Sequence, residues 1–407
     1  MASPSVDRKY IDSLMIKIVM GECLFFYSHE KIAGETHKVE RIYSKEKNMI
    51  VFFIGPSSGK ITGQSLAFNI IFKAYSGDKY LVDYPDFSDR KIRIFCKYFK
   101  LFFVFFVRML KHIFERKIIY ITTSRTLFGF IRDLYFVILG KLFFAKVVNH
   151  LHGSDFVYFR DNQGKVIQKI IDFVYSRIDT SIVLTEGMRE QYKQYQKMKV
   201  FVVSNCYYRL SKFDLKLCLV KSELRLVYLS NLMYSKGIIH LIRAVKRCFK
   251  NGMKLNLKIA GSICSDEYCS EYELKTLFFE EIKECSYIQY LGPVQGEEKN
   301  NLLLESDIFI LPTFYRSEAQ PISIIEAMYY GCVIITTGHN YVKELVGEKN
   351  GVIIDKDSQQ AIADALMLID VAREYYKKVS EYNIHFANTY YSPNVYIEKI
   401  SKIINEV

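Results

Sequence analysis

Short apolar runs alternate along this chain with longer stretches in which apolar residues recur every three or four positions. Met49-Ile50-Val51-Phe52-Phe53-Ile54 is the first such run, closed by Gly55-Pro56, and it reads as a strand buried on both faces. Further strand candidates before residue 205 are Tyr80–Asp83, Ile118–Thr122, Val147–Leu151, Ser181–Leu184 and Val200–Val203. The alternation resumes with Leu226–Leu229, Leu255–Ala260, Ile288–Leu291, Ile308–Leu311, Val333–Thr336 and Val352–Ile354. Alternating strands and helices predict parallel sheets covered on both faces. Two such series, separated by the polar, basic stretch 206–221, predict an α/β protein of two Rossmann-like domains, at 49–205 and 222–379, facing across a cleft. Residues 1–48 have mixed charge and no clear period, and read either as an N-terminal extension of unclear role or as a start site placed too early, since Met49 could itself initiate.

One βαβ unit carries most of the chemistry. The buried run Asp307–Leu311 stops at Pro312, a polar loop follows from Thr313 to Gln320, and Pro321 stands where a helix would begin, its φ already suited to that position. The helix from Ile322 ends near Gly331, before the next strand. Open α/β sheets take ligands at the carboxyl ends of their strands. Glu318 in the loop and Glu326 on the helix therefore border one pocket, beside loop amides and a helix N-terminus that suit anionic or hydroxyl-rich ligands.

Composition narrows the setting. The 407 residues are half hydrophobic, enough for two ordinary cores. The nine cysteines include no C-x-x-C pair, which points to free thiols in a reducing compartment. The start lacks the basic and apolar regions of a signal peptide, and no long uncharged apolar run predicts a membrane span. A cytoplasmic protein is expected. Residues 1–205 hold 32 Lys and Arg against 19 Asp and Glu, whereas residues 222–407 hold 20 against 24. Only the first half is built to face an anionic partner.

The densest charge lies between Arg90 and Lys117, with nine Lys and Arg and one Glu. Arg93, Lys97, Lys100, Arg108 and Lys111 fall on one narrow helical stripe, and nearly all the rest is apolar, phenylalanine above all. A deeply packed core helix is one reading. A helix that packs inward and also lies on an anionic bilayer through its aromatics is the other.

The run Ser317-Glu318-Ala319-Gln320-Pro321-Ile322-Ser323-Ile324-Ile325-Glu326-Ala327-Met328, followed by Gly331, resembles the E-x7-E signature of retaining glycosyltransferases of family four, which have the GT-B fold and include bacterial enzymes of surface polysaccharide (O-antigen or capsule) assembly. Companion segments stand in the family's order: Thr62-Gly63-Gln64, His152-Gly153, Ser230-Asn231 with Lys236-Gly237, and Leu291-Gly292-Pro293-Val294. The resemblance implies a GT-B fold with residues 380–407 as a helix crossing back to the first domain. It implies a nucleotide-diphospho-sugar donor, a lipid-linked oligosaccharide acceptor, and no metal or other cofactor. Glu318 and His152 would serve catalysis. Glu326 would hold the donor's ribose, Lys236 its diphosphate, and Gly63 would let the first-domain loop close on that diphosphate. Backbone amides of Ala319, Gln320 and Ile322 would hold sugar hydroxyls, with Val294 also at the donor. Asn231 stands where the family often has Arg and cannot supply its charged fork; Arg316 is the candidate substitute. Asp355-Lys356-Asp357 imitates a metal-binding D-x-D but reads as a surface turn.

Transfer of a hexose to a glycan at the cytoplasmic face of the inner membrane is the expected function. Two other classes stay open: a sugar-nucleotide epimerase of the same fold, and a non-catalytic basic binding protein. Against a nucleic-acid partner stand the phenylalanine-rich basic helix and the lack of any nucleic-acid motif.

Overall fold

The computed structural model describes residues 49–58, 62–84, 91–208, 219 and 222–407, with residues 91–95 described in backbone only. The extension 1–48 and most of the linker 206–221 lie outside the described residues. Two six-stranded sheets form the frame. In the first, β1 (Met49–Gly55), β2 (Asp78–Asp83), β3 (Arg116–Ile121), β4 (Lys146–His150), β5 (Thr180–Val183) and β6 (Lys199–Val202) lie in the order β2-β1-β3-β4-β5-β6. In the second, β7 (Leu224–Leu229), β8 (Leu255–Ala260), β9 (Ile288–Gly292), β10 (Ile308–Leu311), β11 (Val333–Thr337) and β12 (Gly351–Ile354) lie in the order β12-β11-β10-β7-β8-β9. The described pairings are parallel. Each strand candidate read from the apolar runs falls on one of these strands.

Helices return the chain between strands. The first sheet carries α1 (Gly63–Ala74), α2 (Lys91–Lys111), α3 (Leu127–Leu142), α4 (Phe156–Asp161) and α5 (Lys165–Tyr175). The second carries α6 (Ile238–Lys250), α7 (Glu271–Ile282), α8 (Gly296–Leu304), α9 (Ile322–Tyr329), α10 (Val342–Leu345) and α11 (Gln359–Val371), before α12 (Arg373–Tyr390) and α13 (Pro393–Glu406). On α6 the buried Ile238, Leu241, Ile242 and Val245 recur at helical spacing, while Arg243, Lys246, Arg247 and Lys250 occupy the opposite side. Most of α9 is buried: Ile322, Ile324, Ile325, Glu326, Ala327, Met328 and Tyr329. It lies between the second sheet and α12.

The strand order reverses direction beside β1 in the first sheet and beside β7 in the second. At such switch points adjacent loops run to opposite faces and leave a crevice. The loops after β7 and β10 flank the second crevice; those after β1 and β3 flank the first.

The chain's end corrects one expectation. Residues 380–407 do not form a single crossing helix. They are the end of α12, which begins at Arg373 and packs on α9, and then α13, which packs on α1. Ser392 caps α13 by accepting from Val395 N–H, and Pro393 occupies its first turn. Proline has no N–H to continue α12, so the break falls there. The Tyr396 hydroxyl then donates to Ala67 O at 3.1 Å, and Tyr75 to Asn405 Oδ1 at 3.2 Å.

Asp307, just before β10, has no exposed surface. Its carboxylate accepts from Arg225 Nε at 2.7 Å, from Leu219 N–H at 2.9 Å and from Arg225 N–H at 3.1 Å, with a second contact from the Arg225 guanidinium. This cluster fixes the start of β10 against β7, and so the height at which both site loops emerge. Removing one member of a buried charge pair typically costs about 3–5 kcal/mol. Arg225→Met is therefore expected to lower unfolding free energy by about that amount, read from denaturant midpoints. A loss within about 1 kcal/mol would show that the amide donors alone satisfy Asp307.

Candidate active site

The loop after β7 and the loop after β10 are stitched together before any side chain is considered. Phe314 N–H donates to Ser235 O at 2.7 Å, and Ser235 N–H donates to Asp266 Oδ2 at 2.6 Å. Gly237 has φ +74°, and a Cβ there would lie 2.4 Å from Pro312 O. Only glycine permits both that backbone and that approach. Lys236 consequently lies outside α6. It closes a single 3-10 turn, Tyr234–Lys236, and α6 begins two residues later.

This places the Lys236 ammonium 3.2 Å from Glu318 Oε2 and 3.0 Å from Ser230 Oγ, with the Tyr315 ring 5.6 Å away. Thr313 Oγ1 donates to the same Glu318 oxygen at 3.4 Å. The cation and carboxylate thus meet at the switch point, both largely shielded from water. Asn231 is exposed beside them, its carbonyl accepting from the Tyr228 hydroxyl at 3.0 Å.

From Glu318 the chain runs into α9. The N–H groups of Ala319, Gln320 and Ile322 find no acceptor among the described residues. The Gln320 side chain accepts from Asn205 N–H at 2.6 Å, and the Asn205 amide donates to Gln320 O at 3.0 Å. Ala319 packs within the core of the first domain. A methyl placed at Gly63 would lie 3.3 Å from Ile322 Cδ1, so the N-termini of α1 and α9 come together. Helix N-termini with free amides favour anions.

Glu326 lies one turn further on, 3 % exposed, with Lys299 Nζ of α8 at 2.6 Å from its Oε1. Burial pushes the Glu326 carboxyl above the ordinary carboxylate range; the Lys299 ammonium and the Tyr208 N–H oppose that push. Sequence reasoning missed Lys299, a lone lysine in the polar segment Gly296–Asn301. The one available signal was indirect: a helix apolar on every side cannot carry a carboxylate without an internal cation. Val294, just upstream of α8, is buried.

The first domain contributes His152, at the end of β4. Its ring centroid is 4.1 Å from that of the buried His150, whose Nδ1 lies 2.6 Å from the Tyr120 hydroxyl. His152 Nε2 has no partner among the described residues. Burial, then the adjacent Arg125 charge, push its imidazole down to about 3. Arg125, also missed from sequence, pairs with Asp155, and a Cβ at Gly153 would lie 2.2 Å from the Arg125 Cζ. The two domains touch here: Ser154 Oγ donates to Arg316 O at 3.1 Å, and Asn340 Nδ2 donates to the same oxygen at 2.7 Å.

Arg316 itself is committed elsewhere. Its guanidinium pairs with Glu267 at 2.8 Å and lies 4.1 Å from the centre of the Tyr158 ring. It would have to leave both to replace the charge that Asn231 lacks. Asp355, Lys356 and Asp357 form an exposed turn, where Asp357 has φ +59° and lies 2.7 Å from His240 Nε2.

Two parallel-sheet domains joined by a returning C-terminal helix, with the crevice between their strand ends, constitute the GT-B architecture, and the chain resembles GT-B glycosyltransferases of surface polysaccharide type. Residues 216–386 match the family model of glycosyl transferases group 1. A stretch of 150 residues is 24 % identical to the putative colanic acid biosynthesis glycosyltransferase WcaL of Escherichia coli K12; the Salmonella typhimurium counterpart is 26 % identical over 148 residues. The E. coli alignment covers 36 % of this chain and 36 % of the relative, so the chain spans about a third of the relative's length. Among solved structures, Anabaena HepE in complex with UDP superposes with a TM-score of 0.67 at 14 % identity, covering 88 % of this chain and all of that one. A glycosyltransferase from Rickettsia africae gives 0.62 at 14 %, covering 88 % and 98 %.

The Lys299–Glu326 pair yields a test independent of any ligand. A carboxyl raised in the folded state holds its proton more tightly there than in the unfolded chain. Stability then falls as pH rises above its ordinary value of 4.5. Lys299→Met leaves burial of Glu326 opposed only by an amide. Thermal midpoints of the variant are expected to fall more steeply than wild type as pH rises from about 4.5 towards neutrality. Parallel curves would show that Lys299 does not govern Glu326.

Proposed function

We propose that the protein is a retaining hexosyltransferase that moves a sugar from a nucleoside-diphosphate donor to a lipid-linked glycan acceptor, at the cytoplasmic face of a bacterial inner membrane, in surface polysaccharide synthesis. The observation that carries this reading is the convergence on one crevice of Lys236, Glu318 and the amides at the start of α9, which have no acceptor among the described residues, with Glu326 buried on that same helix. HepE, the structural neighbour, was solved with UDP and with UDP-glucose, which supports a nucleotide sugar as donor here.

In this reading the Lys236 ammonium leaves Glu318 to meet the diphosphate as its bond to the sugar C1 breaks. Charge develops on the departing phosphate oxygens, so a fixed cation and aligned amides act most strongly at that moment. Glu326 accepts from the donor's ribose hydroxyls. Glu318, released from Lys236, faces the transferred sugar; a front-face substitution needs no protein nucleophile. His152 stays neutral throughout the working pH range and orients a sugar hydroxyl. The cation and amides serve where other transferases use a metal, so activity is expected to persist in chelator. Lys97, Lys100 and Lys111 are exposed on α2 and suit an anionic leaflet. Arg93 has only its backbone described. Arg108 does not join the stripe: its guanidinium stacks 4.4 Å over Tyr80 and donates to Leu81 O at 3.4 Å. The Phe105 and Met109 side of α2 is packed in the core, and this draws Arg108 inward.

Two substitutions separate binding from chemistry. Glu326→Ala is expected to raise the donor KM about ten- to a hundredfold, since hydrogen bonds to a charged group are worth about 1.5–3 kcal/mol, with turnover recovered at saturating donor. Lys236→Ala is expected to lower kcat about 10²–10³-fold with folding intact. Steady-state kinetics with UDP- and GDP-hexoses, and the anomeric configuration of the product by NMR, check both. Unchanged donor affinity in Glu326→Ala would remove the ribose assignment, and an inverted product would overturn the retaining assignment.

A further inference from the structure

The helix α3 has the composition of a buried helix in an exposed place. Phe128 is 88 % exposed, Ile131 58 % and Leu142 69 %, and Leu134 and Ile138 lie between them on the same side. Its two charged residues near the middle turn away: Arg132 stacks 3.3 Å over Tyr84 and pairs with the buried Asp133. A surface helix normally puts polar residues outward, so this face is built for an apolar neighbour.

The face continues on either side. Towards α2, Phe102 and Tyr135 pack ring to ring at 4.3 Å, and Phe106 meets Phe143 at 6.0 Å. Phe99 and Phe103 of α2 are exposed beyond them. Towards α5, a groove of about 460 Å³ is lined by Leu134, Ile138, Val166, Ile170 and Phe173, with Lys169 as its one charged member. Phe114 and Phe144, at the ends of α2 and α3, are 98 % and 92 % exposed.

Charge decides what fits there. The three helices hold ten Lys and Arg against two Asp. Each Asp is bound to an arginine, Asp133 to Arg132 and Asp172 to Arg160. The apolar face is thus flanked by the exposed Lys100, Lys111, Lys165 and Lys169, and both carboxylates of these helices are already bound to arginines. A twofold pairing of two copies through this face would set like charges against each other. A leaflet of anionic lipids offers hydrocarbon to the centre and phosphate to the rim.

We propose that α3, flanked by α2 and α5, is the docking surface for an anionic bilayer, with the α3–α5 groove accepting a lipid hydrocarbon chain. This deepens the membrane contact proposed above. It moves the centre of that contact from the basic stripe of α2 to the uncharged face of α3.

The chain contains no tryptophan, so single indoles report insertion directly. Phe128→Trp on α3 and Phe173→Trp in the groove are compared with Tyr272→Trp, 81 % exposed on the second domain, using phosphatidylethanolamine vesicles with or without phosphatidylglycerol. The first two indoles are expected to shift to the blue and be quenched by brominated acyl chains on the anionic vesicles; the third is not. Ile131→Ser with Leu142→Ser is expected to weaken vesicle binding at least about tenfold, because two exposed apolar groups no longer enter the leaflet. An unchanged indole spectrum at Phe128 on every vesicle overturns the proposal. So does an indole there that is already blue-shifted without lipid, which would mean that a second copy or another part of the chain holds the face. Stabilisation by UDP, measured in the same variants, is expected to match wild type; its absence in wild type as well would count against the transferase reading and leave vesicle insertion as a separate result.

Discussion

A carboxylate on a helix with no watery side must be compensated from within, and the placement of Glu326 imposes that demand on the second domain. The α9 helix is held between a parallel sheet and α12, so the countercharge has to come from a neighbouring element at its own depth. Lys299 on α8 supplies it. The consequence extends beyond one ion pair. With α8 and α9 tied together beneath the crevice, the amide end of α9 is held in place, and the Glu318 loop that leads into it is confined. The Asp307–Arg225 cluster performs a matching task at the start of β10, the strand that leads into that loop. The loop is thereby held between a strand and a helix that are each anchored by a buried charge cluster, which leaves it little freedom to wander.

The same logic explains what could be read from the chain alone. Interior strands of a parallel sheet announce themselves as short apolar runs, and the half-buried edge strands β2 and β6 still carry enough of that pattern to be read, so all twelve were legible. The Glu318 loop was legible because a strand, a proline at a helix start and a glycine at its end leave one chain path. Lys236 was assigned to the same crevice through the family resemblance of its segment; that β7 and β10 sit side by side is seen only in the folded sheet. Residues that act across elements were not legible. Lys299 and Arg125 carry no local mark: each has its role through a partner, Glu326 or Asp155, on a different element. The break at Ser392-Pro393 was written in the sequence as a cap and a proline, but the apolar period continues through it.

The basic aromatic helix shows a different limit. Its stripe of Lys and Arg was readable as a stripe, yet helical spacing does not say which side meets the core. Packing of Phe105 and Met109 rotated Arg108 inward and left phenylalanines outside. The uncharged face of α3 escaped notice because a helix apolar on both sides reads, from sequence, like any other core helix. Only its position at the surface separates the two cases.

The return of α13 has a consequence for how the molecule is made. Tyr396 is almost wholly buried, its hydroxyl bonded to Ala67 and its ring near that of His150. These contacts complete the first domain with residues synthesised after the whole of the second. On the ribosome, the first domain therefore emerges with one flank of α1 uncovered, and it stays so while some two hundred further residues are added. Domains generally fold in order of synthesis. Here the earliest folded half is also the last to be finished, and the closing of the chain doubles as the step that joins the two halves.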